Sequence, residues 1–268
     1  MPALSQNPMF QNLPLKLVVT PVLITGATLV GRRWGDAMSG WLVGLPLTSG
    51  PVVFFLALDQ GNRFAAVAAL GVLLGVTSQA VFGLAYVWLG GKRSWTVGVA
   101  AGTAFFGLAT VLFDVLRLPP VVEPVLVAIS LVIAIALMPR NVIRISEAGK
   151  AEPADIPLRI AIATGLVVGL TAVAPALGPR LSGLLSPFPL YAAILAVFAH
   201  RRDGIDSAAA VWRGLMFGLF AFAAFFSVLG ATLGSLGIGG AFLLAVVVAL
   251  VIQAAALVAL RPRVKGTK

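Results

Sequence analysis

The sequence predicts an all-α integral membrane protein, and three observations support that fold class. Hydrophobic residues make up 60% of the 268 residues, and charged residues only 10%. Because a water-soluble domain of this size cannot bury so much apolar surface, the composition indicates a membrane protein. The apolar residues also form about nine stretches, each long enough to cross the hydrocarbon core as a helix. The basic residues lie in short connectors between these stretches.

The nine predicted spans follow one another along the chain. Their bounds are roughly 15–31, 37–58, 64–89, 94–115, 121–138, 157–174, 181–199, 207–231 and 240–260. Threaded alternately through the membrane, they divide the connectors into two sets. One set collects Arg32, Arg33, Lys92, Arg93, Arg140, Arg144, Lys150, Arg159, Arg201, Arg202, Arg261, Arg263, Lys265 and Lys268. The other collects only Lys16, Arg63, Arg117 and Arg180.

This unequal distribution of positive charge predicts the orientation. Connectors rich in lysine and arginine stay in the cytoplasm, so we expect the N-terminus outside and the C-terminus inside a bacterial inner (plasma) membrane. The first fourteen residues contain no basic segment of the kind that opens a signal peptide, so no cleavable signal peptide is expected. Anionic lipid headgroups and topology explain the net charge of +10 better than nucleic acid does.

The second half of the chain repeats the first. A shift of 143 residues aligns Pro14-Leu15-Lys16 with Pro157-Leu158-Arg159, Ser39-Gly40 with Ser182-Gly183, and Pro46-Leu47 with Pro189-Leu190. Glycines also coincide at 26/169, 35/178, 40/183, 61/204, 71/214, 75/218 and 91/234, which indicates duplication. Since an odd number of spans precedes the second copy, the two copies enter the membrane from opposite sides.

The predicted architecture is therefore a 4+1+4 inverted-topology repeat. Its parts are an extracytoplasmic tail at 1–14, a first repeat at 15–115, a connector span at 116–139, a cytoplasmic linker at 140–156, a second repeat at 157–260 and a basic cytoplasmic tail at 261–268.

A helix break is predicted within the second span, at residues 46–51 (the first break). Pro46 lacks a backbone donor, and Ser49-Gly50-Pro51 is typical of a new helix, with a serine cap and a proline in the first turn. The break lies about ten residues into the span, near the bilayer midplane. Irregular backbone at that depth is tolerated only where protein or a water-filled cavity satisfies its polar groups.

A matching break is predicted within the seventh span, at residues 186–191 (the second break). Ser186-Pro187 again reads as a cap followed by proline. Paired interruptions at corresponding positions indicate a transporter's substrate site, and two facing helix N-termini favour an anion. The alternative is that both prolines only kink their helices. The predicted substrate-contacting residues are Pro46, Thr48, Ser49, Gly50, Thr77, Ser78, Gln79, Ser186, Pro187, Phe188, Tyr191 and Arg213.

Several other polar residues within the spans have two readings. Thr77, Ser78 and Gln79 could line a cavity or make interhelical hydrogen bonds, and the sequence favours neither. Arg213 could be a counter-charge for an anionic substrate, although snorkelling to the headgroups is slightly favoured. Asp59, Asp114 and Glu123 are expected to be solvated interfacial acids, one of which could carry a coupling proton. His200 is expected at the interface, and Gln253 is expected to make an interhelical hydrogen bond. The pairs Gly71/Gly75 and Gly214/Gly218 predict two close helix crossings.

Part of the second half resembles the small GlpM-type bacterial membrane proteins. The resemblance rests on Leu181-Ser182-Gly183-Leu184-Leu185-Ser186-Pro187-Phe188-Pro189, Ala199-His200 and Trp212-Arg213-Gly214-Leu215-Met216-Phe217-Gly218. Members carry a similar Gly-Leu-x-Pro-Leu-Phe-Pro turn in their second span, where this chain has Ser186-Pro187 in place of Pro-Leu. Because members are about one repeat long with four spans, the resemblance implies a two-copy fusion. It implies an architecture more than a biochemical role.

These observations favour a secondary transporter or exporter of a small polar, anionic organic solute. The alternative is a non-transporting membrane protein for lipid handling or complex assembly. An enzyme is not expected, because the spans contain no acid pair and no metal-binding pattern, and the chain has no cysteine. No cofactor or metal is expected, the partners are a solute and membrane lipid, and a homodimer is left open.

Overall fold

The computed structural model of the chain describes residues 44–46, 49–91, 93–139 and 155–260, together with positions 14, 17, 18, 21 and 22. Within 155–170 and 257–260, some positions are described by their backbone alone. Every regular element of these residues is a helix, which confirms the predicted all-α fold for the described part of the chain. Thr48, most of the first span, the 140–154 linker and the basic C-terminal tail lie outside the described residues.

Seven helices have described bounds. They are α1 (Ser49–Gln60), α2 (Asn62–Ala85, continued by a π-helical turn over Tyr86–Gly90), α3 (Trp95–Leu116), α4 (Glu123–Leu137), α5 (Asp155–Leu185), α6 (Leu190–Asp203) and α7 (Ile205–Leu260). Two of them bend at a glycine with positive φ, α5 at Gly178 (76°) and α7 at Gly237 (67°). An L-residue rarely adopts that conformation, so glycine suits both bends.

Three described helices are long and apolar enough to cross a membrane, at Asn62–Gly90, Trp95–Leu116 and Ile205–Ala256. The last part of α5 and the whole of α6 form a pair bent by 42°, which adds a fourth crossing if the pair is one span. The chain therefore has the apolar helices of an α-helical membrane protein. The number nine and the 4+1+4 repeat stay predictions.

The central helix of the described structure is α2. Of its most apolar window, 72% is buried inside the protein, against 28% for α3 and 17% for α7. It packs against α1, α3, α4, α5 and α7. The outer faces of α3 and α7 instead expose large apolar side chains, including Leu108, Val115, Leu243 and Val251. Exposed faces of this kind suit contact with lipid.

Small residues let α2 and α5 approach closely. A Cβ atom added to Gly71 would collide with the carbonyl oxygen of Arg180 and come within 3.1 Å of the Cα of Gly183. A Cβ atom added to Gly75 would collide with the ring of Pro187. The first Gly-x-x-x-Gly motif therefore lies at a close helix crossing, as predicted.

The second motif also lies at a close crossing, because a Cβ atom on Gly44 would come within 2.6 Å of the Cα of Gly218 in α7. The helices α2 and α7 also pack against each other, as expected, although through other residues. A Cβ atom on Gly83 would meet Trp212, and one on Gly230 would meet Leu70. From Leu70 to Gly83 along α2, the contacted residue of α7 goes back from Gly230 to Trp212, so α2 and α7 run antiparallel.

These contacts predict that Gly71→Ala destabilises the protein. The added methyl group must push the α5 backbone away, and overpacking of this kind costs about 1–3 kcal/mol. We expect a lower thermal unfolding midpoint in detergent. The matched control is Gly107→Ala in α3, where an added Cβ meets nothing within 4 Å. That variant should unfold at the same temperature as the wild type or higher, because alanine favours the helix. Equal midpoints for the two variants would contradict the packing described.

Candidate functional site

The two predicted breaks touch each other in the interior of the protein. The Ser49 hydroxyl donates a hydrogen bond to the backbone carbonyl of Ser186, with 3.1 Å between Oγ and O. Both serines are fully buried. Residues 137 positions apart in the chain are thus joined at the two predicted breaks.

At the first break, α1 begins at Ser49, close to the predicted position. The backbone N–H of Gly50 donates to the carbonyl of Pro46 at 2.9 Å, so helical hydrogen bonding extends back to Pro46. The Ser49 side chain was expected to cap its own helix. Instead its hydroxyl donates across to Ser186, because that buried carbonyl lies at the end of a helix and needs a donor.

At the second break, the predicted helix start is wrong by three residues, since the cap is Pro189 rather than Ser186. Ser186 directly follows α5, and its N–H donates back to the carbonyls of Ser182 and Gly183. Residues 186–189 form a turn, and α6 begins only at Leu190, where the Pro189 carbonyl accepts from Ala193 at 2.8 Å. Pro189 provides the new helix start, and its position matches Pro46 under the repeat shift.

Three buried polar atoms around the second break have no hydrogen-bond partner among the described residues. They are Ser186 Oγ, Gln79 Oε1 and Trp212 Nε1. Gln79 lies one turn from Gly75 and from Gly83 on α2. Since Gly75 faces Pro187 and Gly83 faces Trp212, helical spacing places Gln79 on the same face. Burying a polar group without a hydrogen-bond partner costs free energy and is uncommon, so a polar ligand could bind in this region.

Aromatic rings enclose the same region. The ring of Phe188, within the second break, makes edge contacts with Phe82 and Phe106, at centroid distances of 5.8 and 5.2 Å. Phe82 in turn packs against Trp212 at 5.1 Å. Tyr191, the second residue of α6, is half-buried. The combination of buried rings and a few polar atoms is typical of small-molecule sites.

Two of the predicted site residues on α2 point away from the breaks. Thr77 shares a hydrogen bond with Ser130 of α4 at 3.0 Å. Ser78 accepts one from Thr110 of α3 at 3.5 Å. The interhelical reading is therefore correct for Thr77 and Ser78, while the cavity-facing reading survives only for Gln79. Residues one position apart on a helix are separated by about 100°, which explains why the three side chains diverge.

The guanidinium group of Arg213 reaches the C-terminal end of α4. One of its terminal nitrogens lies 3.4 Å from the carbonyl oxygens of both Ile135 and Met138, at the C-terminal end of α4. A guanidinium group is stabilised there by the negative end of the helix dipole and by carbonyls that lack helical partners. The role of Arg213 as a substrate-binding residue stays a prediction.

His200 packs at the end of α6. Its Nδ1 shares a hydrogen bond with the hydroxyl of the buried Tyr86 at 3.2 Å, and the two rings meet edge to face. The residue is partly buried rather than fully exposed.

An ion pair that was not predicted lies at the N-terminal end of α4, opposite the end that Arg213 contacts. Glu123 is only 1% exposed, and its Oε1 lies 3.8 Å from a terminal nitrogen of Arg180. The expectation that Glu123 is a solvated acid is wrong. Arg180 also donates to the carbonyl of Phe113 at 2.8 Å. Nothing in the separation of 57 residues along the chain signals this contact, which arises only when α3, α4 and α5 assemble.

An open cavity of about 440 Å³ lies beside this ion pair, not between the two breaks. Its lining residues are Asp114, Arg117, Leu118, Leu177, Gly178, Pro179, Arg180 and Leu181. The lining thus combines three charged residues with three leucines.

Comparisons of the chain with protein families, with curated proteins and with solved structures give no match.

The contact between the breaks predicts that Ser49→Ala destabilises the protein. Without the hydroxyl, the buried Ser186 carbonyl loses its cross-chain donor, which costs about 1–3 kcal/mol. The thermal midpoint in detergent should fall clearly. Ser227→Ala is the control, because that hydroxyl donates at 2.8 Å to a carbonyl one turn back in its own helix. If both variants unfold at the same temperature, the Ser49–Ser186 bond contributes nothing to the fold.

Proposed function

We propose that this protein is a secondary-type transporter or exporter of a small polar, anionic organic solute in a bacterial inner membrane. The observation that carries the proposal is the direct contact of the two broken segments through Ser49 and Ser186. Paired broken helices at equivalent positions of two halves form the substrate sites of many transporters. Buried polar atoms without partners beside the second break support a solute site there.

The proposed architecture has nine spans in an inverted 4+1+4 repeat, with broken helices in spans 2 and 7. At about 1.5 Å per residue, the 56 residues of α7 would extend roughly 84 Å, far beyond a hydrocarbon core of about 30 Å. We therefore place two spans in α7, joined at the Gly237 bend. The positive-inside rule sets the N-terminus outside and the C-terminus in the cytoplasm.

A pair of equivalent contacts supports the repeat. A shift of 143 residues carries Gly75 onto Gly218 and Gly44 onto Pro187. The Gly75–Pro187 contact and the Gly218–Gly44 contact therefore join equivalent positions of the two halves, with first and second half exchanged. A pseudo-two-fold axis in the membrane plane would relate the halves in this way. The antiparallel packing of α2 and α7, which occupy equivalent positions, agrees with it. The two-copy fusion implied by the GlpM-type resemblance would have the same arrangement.

In the proposed mechanism, the solute takes the place of the Ser49–Ser186 bond. Separation of α1 from the second break would free the Ser49 hydroxyl as a donor and bring the solute's oxygen atoms near the starts of α1 and α6. Backbone N–H groups at helix starts favour an anion. The polar atoms of Gln79, Ser186 and Trp212 would complete its hydrogen bonds, and Phe188 and Tyr191 would cover its apolar part. Rocking of one half against the other would then expose the site to each side in turn.

One observation favours the second candidate, a non-transporting membrane protein for lipid handling or complex assembly. Ser49 and Ser186 are in direct contact and fully buried, as expected of two breaks that serve as a packing joint. A transporter must open this contact, whereas a packing joint keeps it closed.

The test is solute transport by the purified protein in liposomes. A thermal-stabilisation screen of small organic acids, amino acids and nucleobases would first select the solute. Replacing Thr48, Ser49 and Tyr191 together by valine, alanine and phenylalanine should then abolish its transport, because the donors at the breaks are lost while the volume is nearly kept. Size-exclusion chromatography would verify that the variant is folded.

The control for this experiment is Thr77→Val, which removes a hydroxyl that bonds to Ser130 away from the breaks. Its transport rate should stay within a few-fold of the wild type. Unchanged transport by the triple variant would contradict the site. If no solute stabilises the protein or crosses the membrane, the packing-joint candidate is favoured.

A further inference from the structure

The Glu123–Arg180 pair joins a carboxylate that is 1% exposed to an arginine that is 23% exposed, and its hydrogen bonding is incomplete. The 3.8 Å between Oε1 of Glu123 and the Arg180 nitrogen is too long for a hydrogen bond. Glu123 Oε2 and Arg180 Nε have no hydrogen-bond partner among the described residues. An optimised ion pair of arginine and carboxylate would instead be bidentate, with two short bonds. A buried carboxylate held by one long contact costs free energy, so another carboxylate can replace Glu123 beside Arg180 at little cost.

The cavity beside Arg180 has the chemistry of a site for a small carboxylate with an apolar body. Arg180 and Arg117 provide positive charge, while Leu118, Leu177 and Leu181 provide an apolar wall. Its volume of about 440 Å³ falls within the usual range for small-molecule sites. Asp114 also lines it, so the cavity is close to neutral while Glu123 is ionised.

We propose that this cavity binds a monocarboxylate through Arg180 and that binding transfers one proton from solvent to Glu123. The ligand's carboxylate takes the place of Glu123 beside the guanidinium. Glu123, left buried without its counter-charge, takes up a proton and becomes neutral. Charge balances, because one anion and one proton enter together.

The charges around Glu123 permit this exchange. Arg180 of α5 contacts it, and Asp114 and Arg117 at the end of α3 line the adjacent cavity. On α2, Arg63 lies in the first turn, and α4 itself carries no other charged residue. On α7, Arg213 contacts the opposite end of α4, and no charged residue follows it up to Leu260. Arg180 is thus the one cation in contact with Glu123 among the described residues.

This inference rests on the proposed transport function for its biological meaning, since it couples an anionic solute to a proton. It names the solute class as monocarboxylates with an apolar body, and it places their first binding step on the outer side of the membrane. The binding step itself can be measured without transport.

The experiment uses radiolabelled benzoate and the purified full-length protein in detergent, between about pH 6 and 8, where benzoate is ionised. A pH-indicator dye in weak buffer counts the protons taken up. We expect nearly one proton per benzoate where Glu123 is ionised, and an affinity that falls about tenfold per pH unit there. Benzoate that does not bind, or that binds without proton uptake even at the alkaline end of this range, would overturn the proposal. This result needs only the wild-type protein.

Three variants sharpen the result. Glu123→Gln mimics the protonated acid, so it should bind benzoate with an affinity independent of pH and without proton uptake. Arg180→Gln should lose at least about tenfold in affinity, since a charge-assisted bond is removed. Arg63→Gln, which changes an exposed arginine, should behave as the wild type. Proton uptake that persists in Glu123→Gln, or full affinity in Arg180→Gln, would contradict the assignment.

The two proposals can fail separately. If a solute is transported but benzoate binds without a proton, the coupling inference fails and transport stands. If benzoate binds with a proton and no solute crosses the membrane, transport fails while the carboxylate site stands.

Discussion

The structure depends on how the free backbone N–H and C=O groups of broken helices find hydrogen-bond partners inside a membrane protein. A continuous helix pairs nearly all of its N–H and C=O groups, but an interruption leaves several without partners in a region that lacks water. Here the end of α5 presents the Ser186 carbonyl, and the Ser49 hydroxyl of the other break donates to it at 3.1 Å. The carbonyl left free at the end of α5 is therefore satisfied because the first break lies beside it. Glycines at 71 and 75 of α2 make room for this arrangement, since they let α5 and its proline turn approach the central helix closely.

The same constraint connects fold and function in the proposed account. A hydrogen bond between two breaks can be replaced by hydrogen bonds to a polar solute, whereas a continuous helix offers no such exchange. The unpartnered atoms of Gln79, Ser186 and Trp212 lie on the side of the second break, and the rings of Phe82, Phe106 and Phe188 enclose it. At the N-terminal end of α4, Glu123 and Arg180 form a second place where one partner can be exchanged for another. In both places, buried polar atoms lack a hydrogen-bond partner among the described residues, which is uncommon unless a ligand completes the site.

The sequence predicted the features that depend on local chemistry. Apolar length predicted the helical fold of the described region, although two predicted connectors, 175–180 and 232–239, lie inside α5 and α7. The prolines marked the turn after α5, and the glycine pairs marked close contacts. Features that depend on assembly were not predictable in this way. Ser186 was read as a helix cap, because serine before proline is a local signal, yet the helix begins at Leu190. Arg213 was read as a counter-charge or a snorkelling residue, although α4 offers its C-terminal carbonyls. Glu123 was read as solvated, since its burial depends on α3 and α5, which are distant in sequence.

The most direct test of the account is a cross-link between the two breaks. The chain contains no cysteine, so Ser49→Cys with Ser186→Cys introduces the only two thiols. Mild oxidation or a short bifunctional reagent, read by mass spectrometry, should join them in high yield within the membrane. The pair Ser49→Cys with Ser94→Cys, which places the second thiol beyond the far end of α2, should not react. If the first pair stays unlinked while both thiols are accessible to a small monofunctional reagent, the breaks do not meet, and the proposed site has no basis.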